Sequence, residues 1–225
     1  MGDRNGGETP LTLLGAGTTR TMRPHWMLHE LGLDYEKRLV TSRSGETRSE
    51  DFIKLNPKKK VPVLLDGDLV LTESAAIVTY LGDTYGKGTG LTPDFGTRER
   101  ARYNEWCFFV MMELDAHTLY VVRKHRDLAS LYGEAPSAVT EAFAGFERQI
   151  TVVSAALSDG RHYLIGGTFT GADILLGTCL DWALFYGLDL SAALADYHRR
   201  IQSREAYSSA RALNYSLRPD GSPAS

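Results

Sequence analysis

The sequence predicts a small α/β domain followed by an all-helical domain, and three observations carry that prediction. Over residues 9–85, short apolar runs alternate with helix-patterned stretches in the order β-α-β-α-β-β-α. Residues 86–93, GKGTGLTP, then break the texture with the composition of a linker. From residue 94 to 215, apolar residues recur at helical spacing. An alternating βαβ order implies a mixed sheet with helices packed on it.

The elements follow in order. Leu11–Leu14 is an apolar run closed by Gly15 and Gly17, which reads as a buried strand. In TTRTMRPHWMLHELGL, Met22, Trp26, Leu28 and Leu31 fit one helix, and Gly32 ends it. Pro24 is tolerated in the first turn of that helix, where its missing N–H does no harm. Residues 35–40, YEKRLV, suggest a second strand, and SEDFIKLNP a short helix that stops before Pro57. Residues 60–81, KVPVLLDGDLVLTESAAIVTYL, then read as strand, turn, strand and helix. Asp66-Gly67 signals a two-residue type I′ turn between arms Val61–Leu65 and Leu69–Leu71. In the second half, Tyr103, Trp106, Val110 and Leu114 mark a long helix reaching to about residue 125. Further helices are expected at about 134–158, 171–187, 189–200 and 203–213.

Two features of the 60–81 stretch bear on function. Proline cannot donate to a ladder, so Pro62 marks where strand pairing ends and leaves the Val61 backbone to pair with something else. Thr72-Glu73-Ser74 stands where a helix begins, and a helix start offers unpaired N–H groups and a partial positive charge. A ligand carboxylate would bind there, and Glu73 would hold a neighbouring ammonium. The same residues also suit an ordinary helix start, with Thr72 or Ser74 as cap and Glu73 in the first turn. The residues alone leave both readings open.

Composition narrows the class. The chain has 225 residues, 43% of them hydrophobic, which suffices for a well-buried core. The net charge is −3 and no Lys/Arg-rich face stands out, so no nucleic-acid partner is expected. No apolar run approaches the roughly 18 residues that would span a membrane. The opening MGDRNGGETP lacks the apolar core of a signal peptide. Cys107 and Cys179 are far apart and read as inert buried thiols, which suits a cytoplasmic protein. His25 and His29 sit one turn apart, as exposed helix positions that could share a metal; no third ligand is evident, and no metal is expected. Residues 1–8 and 216–225 are expected to be disordered.

Several motifs together resemble the glutathione S-transferase family. They are N-P-x-x-x-V-P-x-L (Asn56 to Leu64), L-x-E-S-x-A-I-x-x-Y-L (Leu71 to Leu81) and, upstream, W-x-L-x-E-L-G-L-x-Y-E (Trp26 to Glu36). A shorter F-T-x-A-D-I, Phe169 to Ile174, resembles the family's capping box in a core helix, with Thr170 at N-cap and Asp173 at N3. The resemblance covers the first 85 residues closely and the rest mainly by pattern. It implies a thioredoxin-like N-terminal domain, a helical C-terminal domain, a cis proline at Pro62 and a homodimer. It implies glutathione as co-substrate: the Val61 backbone pairs with its cysteinyl part, Glu73 and Ser74 hold its γ-glutamyl end, and Lys59 meets its glycyl carboxylate. The run Lys58-Lys59-Lys60 reads equally as a solvated loop.

The implied chemistry needs a thiolate. A thiol of pKa roughly 8.5 must be lowered, and two units correspond to about 2.7 kcal/mol. One hydrogen bond to a charged sulfur supplies roughly 1.5–3 kcal/mol. A hydroxyl at a helix N-terminus can therefore suffice. The family takes that hydroxyl from Tyr or Ser near the end of the first strand, and some subgroups use Cys. Here the loop reads GAGTTRTMR and has none of the three. Thr18 and Thr19 fall where serine-type subgroups place Ser, and Thr19-Arg20 resembles the Ser-Arg pair of some bacterial and fungal members. Arg20 or backbone N–H groups are the alternatives, and each threonine also suits a turn or N-cap. The aromatic residues Trp106 and Phe109 are core by default; the resemblance offers them as lining for a hydrophobic electrophile. The expected activity is transfer of glutathione to such an electrophile. A non-catalytic glutathione-binding or scaffold protein, and a glutathione-dependent disulfide reductase or ether- or halide-cleaving enzyme, remain as alternatives.

Overall fold

Five consecutive buried residues, Thr12–Ala16, form β1, the strand from which the rest of the sheet is laid out in a computed structural model that describes residues 10–216. The sheet runs β2-β1-β3-β4, with β2 at Glu36–Thr41, β3 at Val63–Asp66 and β4 at Leu69–Thr72. β1 is parallel to β2 and antiparallel to β3, and β3 is antiparallel to β4. Three helices belong to this half: α1 (Thr19–Glu30), α2 (Glu50–Leu55) and α3 (Ser74–Tyr85). The order is the βαβαββα of a thioredoxin-like domain, as the sequence predicts. Gly15 shifts the β1–β2 register between Leu14 and Ala16, and the strand ends in a loop with Gly17 at φ +76°. Leu14, Val40, Phe52, Val61 and Val63 form the buried cluster beneath the strands.

The hairpin turns one residue later than expected. Asp66 pairs with Leu69, so the turn residues are Gly67 and Asp68, not Asp66 and Gly67. Only Gly67 of the two has positive φ, the glycine-first arrangement a II′ turn uses. Asp66 is kept in the strand because its carboxylate accepts hydrogen bonds from the Tyr80 and Tyr85 hydroxyls of α3.

The described residues divide into two compact units, one drawn from Met1–Tyr85 and Glu205–Ser225, the other from Gly86–Arg204. The second unit contains α4 (Arg98–Phe109), α5 (Tyr120–Val122), α6 (Ala129–Tyr132), α7 (Pro136–Leu157), α8 (Gly171–Phe185) and α9 (Ala192–Gln202). The expected single helix to about residue 125 is instead α4 followed by π-helical stretches at Val110–Leu119 and Arg123–Asp127, on either side of α5. Asp173 is buried and accepts from the Leu164 and Thr170 N–H groups and the Thr170 and Tyr197 hydroxyls, which bears out the structural role of Phe169–Ile174. The last helix, α10 (Glu205–Asn214), groups with the sheet and not with the helical run to residue 215 expected from the sequence. The reason is its apolar face: Tyr207 and Ala210 are buried, and Tyr207 meets the fully buried Trp26 of α1 edge-to-face at 4.9 Å. Of the expected disordered tails, Ser216 is described, its hydroxyl donating to the Leu213 carbonyl; the rest lies outside the described residues. No helix among the described residues is long and apolar enough to cross a membrane.

Candidate active site

Strand order and direction bring the predicted residues together. Leu14 pairs with Val63, and Val63 with Thr72. The C-terminal end of β1, the N-terminal end of β3 and the C-terminal end of β4 therefore lie side by side. The segments just beyond them are Gly15–Arg20, Val61-Pro62 and Glu73-Ser74. The Val61-Pro62 peptide is cis, as the resemblance implies. Gly15 lies against it so closely that a Cβ there would stand 3.0 Å from Val61 Cβ and 3.3 Å from Pro62 Cα. α1 and α3 both begin at this end, and Arg23 of α1 donates to the Ser74 hydroxyl at 3.1 Å. That guanidinium is fully buried and places a positive charge directly beneath Ser74.

Neither Thr72 nor Ser74 caps α3. Thr72 accepts from Lys58 Nζ at 2.9 Å, and Ser74 is held by Arg23. Helix α3 starts from the Glu73 carbonyl, which accepts the Ile77 N–H. Among the described residues no side chain takes the first N–H groups of α3, so the helix presents open donors and the positive end of its dipole. Glu73 itself is exposed and sits at φ +70°, a conformation rare for a non-glycine residue, and strain of this kind clusters at functional sites. Its Oε1 pairs with Lys58 Nζ at 2.5 Å. The lysine that reaches Glu73 is thus Lys58; Lys59 is exposed, in the left-handed region at φ +56°.

At α1, Thr18 is the N-cap. Its Oγ1 accepts from Thr21 N–H and its own N–H donates to Thr21 Oγ1, each at 3.0 Å, so its oxygen already serves the helix. Thr19 is the first residue of the helix, half-buried, and its hydroxyl makes no hydrogen bond among the described residues. Arg20 is half-buried beside it.

His25 is not the exposed residue expected from its place in the sequence. It is fully buried, with Nε2 2.9 Å from the Gly15 carbonyl and Nδ1 2.7 Å from the Tyr35 hydroxyl. Nε2–H then donates to Gly15, and Nδ1 accepts from Tyr35. Burial is the main cause that lowers its pKa to about 4, so the ring is neutral and ties the end of β1 to the residue before β2. His29 is also lowered by partial burial, with Lys37 adding to it. No group of three His, Cys, Asp or Glu that could hold a metal occurs among the described residues. Burial likewise pushes the Cys107 thiol up to about 12, the state of an inert side chain.

The N-terminal domain model of the glutathione S-transferases matches residues 9–83, and the family's C-terminal domain model matches residues 136–212. A glutathione S-transferase, GST-4.5 of Xanthomonas campestris, is 32% identical over 192 residues, 80% of this chain and 87% of that one. The chain belongs to the glutathione S-transferase family. Among solved structures of the family, a glutathione transferase from Methylococcus capsulatus is 30% identical, with TM-score 0.75 over 91% of this chain and 98% of its own. The transferase URE2P6 of Phanerochaete chrysosporium, solved with oxidized glutathione, is 25% identical, with TM-score 0.81 over 91% and 96%. Within this family member, the eight residues expected to serve glutathione (Thr18, Thr19, Arg20, Lys59, Val61, Pro62, Glu73 and Ser74) all lie in the sheet-containing unit. Trp106 and Phe109 lie on α4 of the other unit, half-buried and edge-to-face at 5.7 Å. Sequence reasoning missed Arg23 and Asn214, whose only sequence signal was polarity at helical positions, and it read Lys58 only as part of a lysine run and His25 only as an exposed helix position.

Proposed function

We propose that this protein binds glutathione at the sheet end formed by β1, β3 and β4, stabilises its thiolate, and transfers it to a hydrophobic electrophile. The observation that carries this reading is the uncapped start of α3, flanked by Glu73 at positive φ and by Ser74 over the buried Arg23. In it, the γ-glutamyl carboxylate takes the Ser74 hydroxyl and the first α3 N–H groups, where a helix terminus and a buried guanidinium both favour an anion. The γ-glutamyl ammonium takes the Glu73 oxygen that Lys58 leaves open. The Val61 backbone ahead of Pro62 pairs with the cysteinyl part, and Lys59 meets the glycyl carboxylate. The sulfur then sits near the start of α1.

Of the two threonines, Thr19 is the donor in this reading, because its hydroxyl has no competing bond among the described residues, whereas the Thr18 hydroxyl accepts from the Thr21 N–H and also lies 3.0 Å from the Thr21 hydroxyl. Arg20 adds positive charge beside it. Trp106 and Phe109 contribute apolar surface for the electrophile, and the protein works as a cytoplasmic homodimer. Thr19 keeps the hydroxyl of serine-type relatives, and its extra methyl limits χ1 rather than removing the donor.

Thiolate absorbance of bound glutathione against pH tests the proposal. Wild-type protein is expected to lower the bound pKa by about one to two units. Thr19→Val is expected to return it toward the free value. Thr18→Val is expected mainly to cost about 1 kcal/mol of stability as a lost cap. Tight binding with an unshifted pKa would instead identify a non-catalytic glutathione-binding protein.

A further inference from the structure

The end of α10 reaches back to the loop between β1 and α1. Asn214 is fully buried and makes three contacts there, two with that loop and one with the first turn of α1. Its backbone carbonyl accepts the Gly17 N–H at 2.7 Å, its side-chain carbonyl accepts the Thr21 hydroxyl at 2.7 Å, and its amide nitrogen donates to the Thr18 carbonyl at 3.0 Å. The three contacts bracket Thr19: Gly17 and Thr18 stand before it, Thr21 after it. They cross 193 to 196 residues of sequence for the two side-chain bonds, so no local helix preference explains them. An asparagine at a helix C-terminus has no need of these partners. Its amide is committed to one orientation, because Nδ2 can only donate to the Thr18 carbonyl and Oδ1 can only accept from Thr21.

We infer that Asn214 is a positioning residue for the thiol-activating loop. This rests on the thiolate reading given above. The loop needs an external hold. Gly15 at φ +140° and Gly17 at φ +76° lie in backbone regions open mainly to glycine, and glycine is the most conformationally permissive residue. A hydroxyl stabilises a thiolate only within a narrow window of distance and angle, and weakens steeply outside it. Asn214, itself buried, ties the backbone before Thr19 and the Thr21 hydroxyl after it to the end of α10, so the hydroxyl and the first α1 N–H groups are held in one arrangement before any ligand arrives. The C-terminal helix is thereby part of the catalytic apparatus, although it carries no group that touches the sulfur.

The test uses the full-length protein, with glutathione as ligand and an activated aryl halide as second substrate. Asn214→Leu keeps the volume and the backbone contact but removes both side-chain bonds. Asn214→Ser keeps a hydroxyl able to replace one of them. The inference expects Asn214→Leu to bind glutathione with a KM within about three-fold of wild type. Its bound thiol pKa should rise by about one unit, cutting turnover at pH 6.5 up to about ten-fold. Asn214→Ser should fall between the two. A variant that melts lower but keeps the wild-type thiol pKa and pH–rate profile would show a purely structural asparagine and overturn the inference, leaving the proposed activity standing. A wild-type protein that leaves the thiol at its free pKa would overturn both. Should Asn214→Leu fail to fold, Asn214→Ser carries the comparison: a raised thiol pKa supports the positioning role, and an unchanged one overturns it.

Discussion

Gly15 and His25 show how much of the site rests on single residues with no chemistry of their own. At Gly15 a Cβ would stand 2.7 Å from Thr21 Cγ2 as well as against Val61 and Pro62, on a backbone at φ +140°. Backbone strain and overpacking add, so Gly15→Ala is expected to cost about 2–5 kcal/mol, read as a fall in the urea midpoint, and to weaken glutathione binding. A midpoint within error of wild type would mean that the loop yields freely. His25 makes stability depend on pH. It titrates near 6.5 when unfolded and at about 4 when folded, so the folded state resists the proton. Stability is therefore full above pH 6.5 and declines as pH falls through 6.5 toward 4. At pH 5 the loss is about 2 kcal/mol, and His29 adds to it in the same direction. Urea midpoints at pH 7 and pH 5 measure it, and His25→Gln should flatten the difference. The sequence shows only a histidine at a helical position; its burial depends on Tyr35 and Gly15 arriving on either side.

Helix starts carry the organisation at the level of elements. The start of α1 is closed by the Thr18–Thr21 box, and the start of α8 by Asp173. The start of α3 is left without a side-chain cap among the described residues, which is the difference between a structural and a ligand-binding terminus. Asp173 was legible in advance because F-T-x-A-D-I is a local pattern. Removing its carboxylate leaves two N–H groups and two hydroxyls without their acceptor inside the protein. Asp173→Ala is expected to destabilise the helical unit by about 3–5 kcal/mol, seen as a large drop in Tm with the isolated mutant prone to aggregation. A Tm within a few degrees of wild type would contradict that assignment. The hairpin illustrates the opposite case. Asp66-Gly67 is a strong local turn signal, yet the turn forms at Gly67-Asp68, because two tyrosines of α3 hold the Asp66 carboxylate.

At the scale of the whole molecule, the chain returns at its end to the unit in which it began. α10 covers Trp26 with Tyr207 and anchors the β1–α1 loop through Asn214. A chain cut after Arg204 is expected to lose protection in the sheet-containing unit while keeping it in the helical one. Hydrogen exchange would report this as fast amides in β1 and α1 and slow amides in α7 and α8; uniform protection would overturn it. What the sequence determined by itself was local: strand and helix order, the proline at a strand start, the glycine loop, the capping box and the glutathione-type motifs. Each is set within a few residues by backbone preference, by proline's missing donor or by apolar period. The tertiary structure alone decided which lysine meets Glu73, that His25 and Arg23 are buried, that Thr18 rather than Thr19 spends its oxygen on a helix, and that α10 joins the sheet. Those outcomes depend on which surfaces and polar groups meet across long separations in the chain, and no local pattern encodes such meetings.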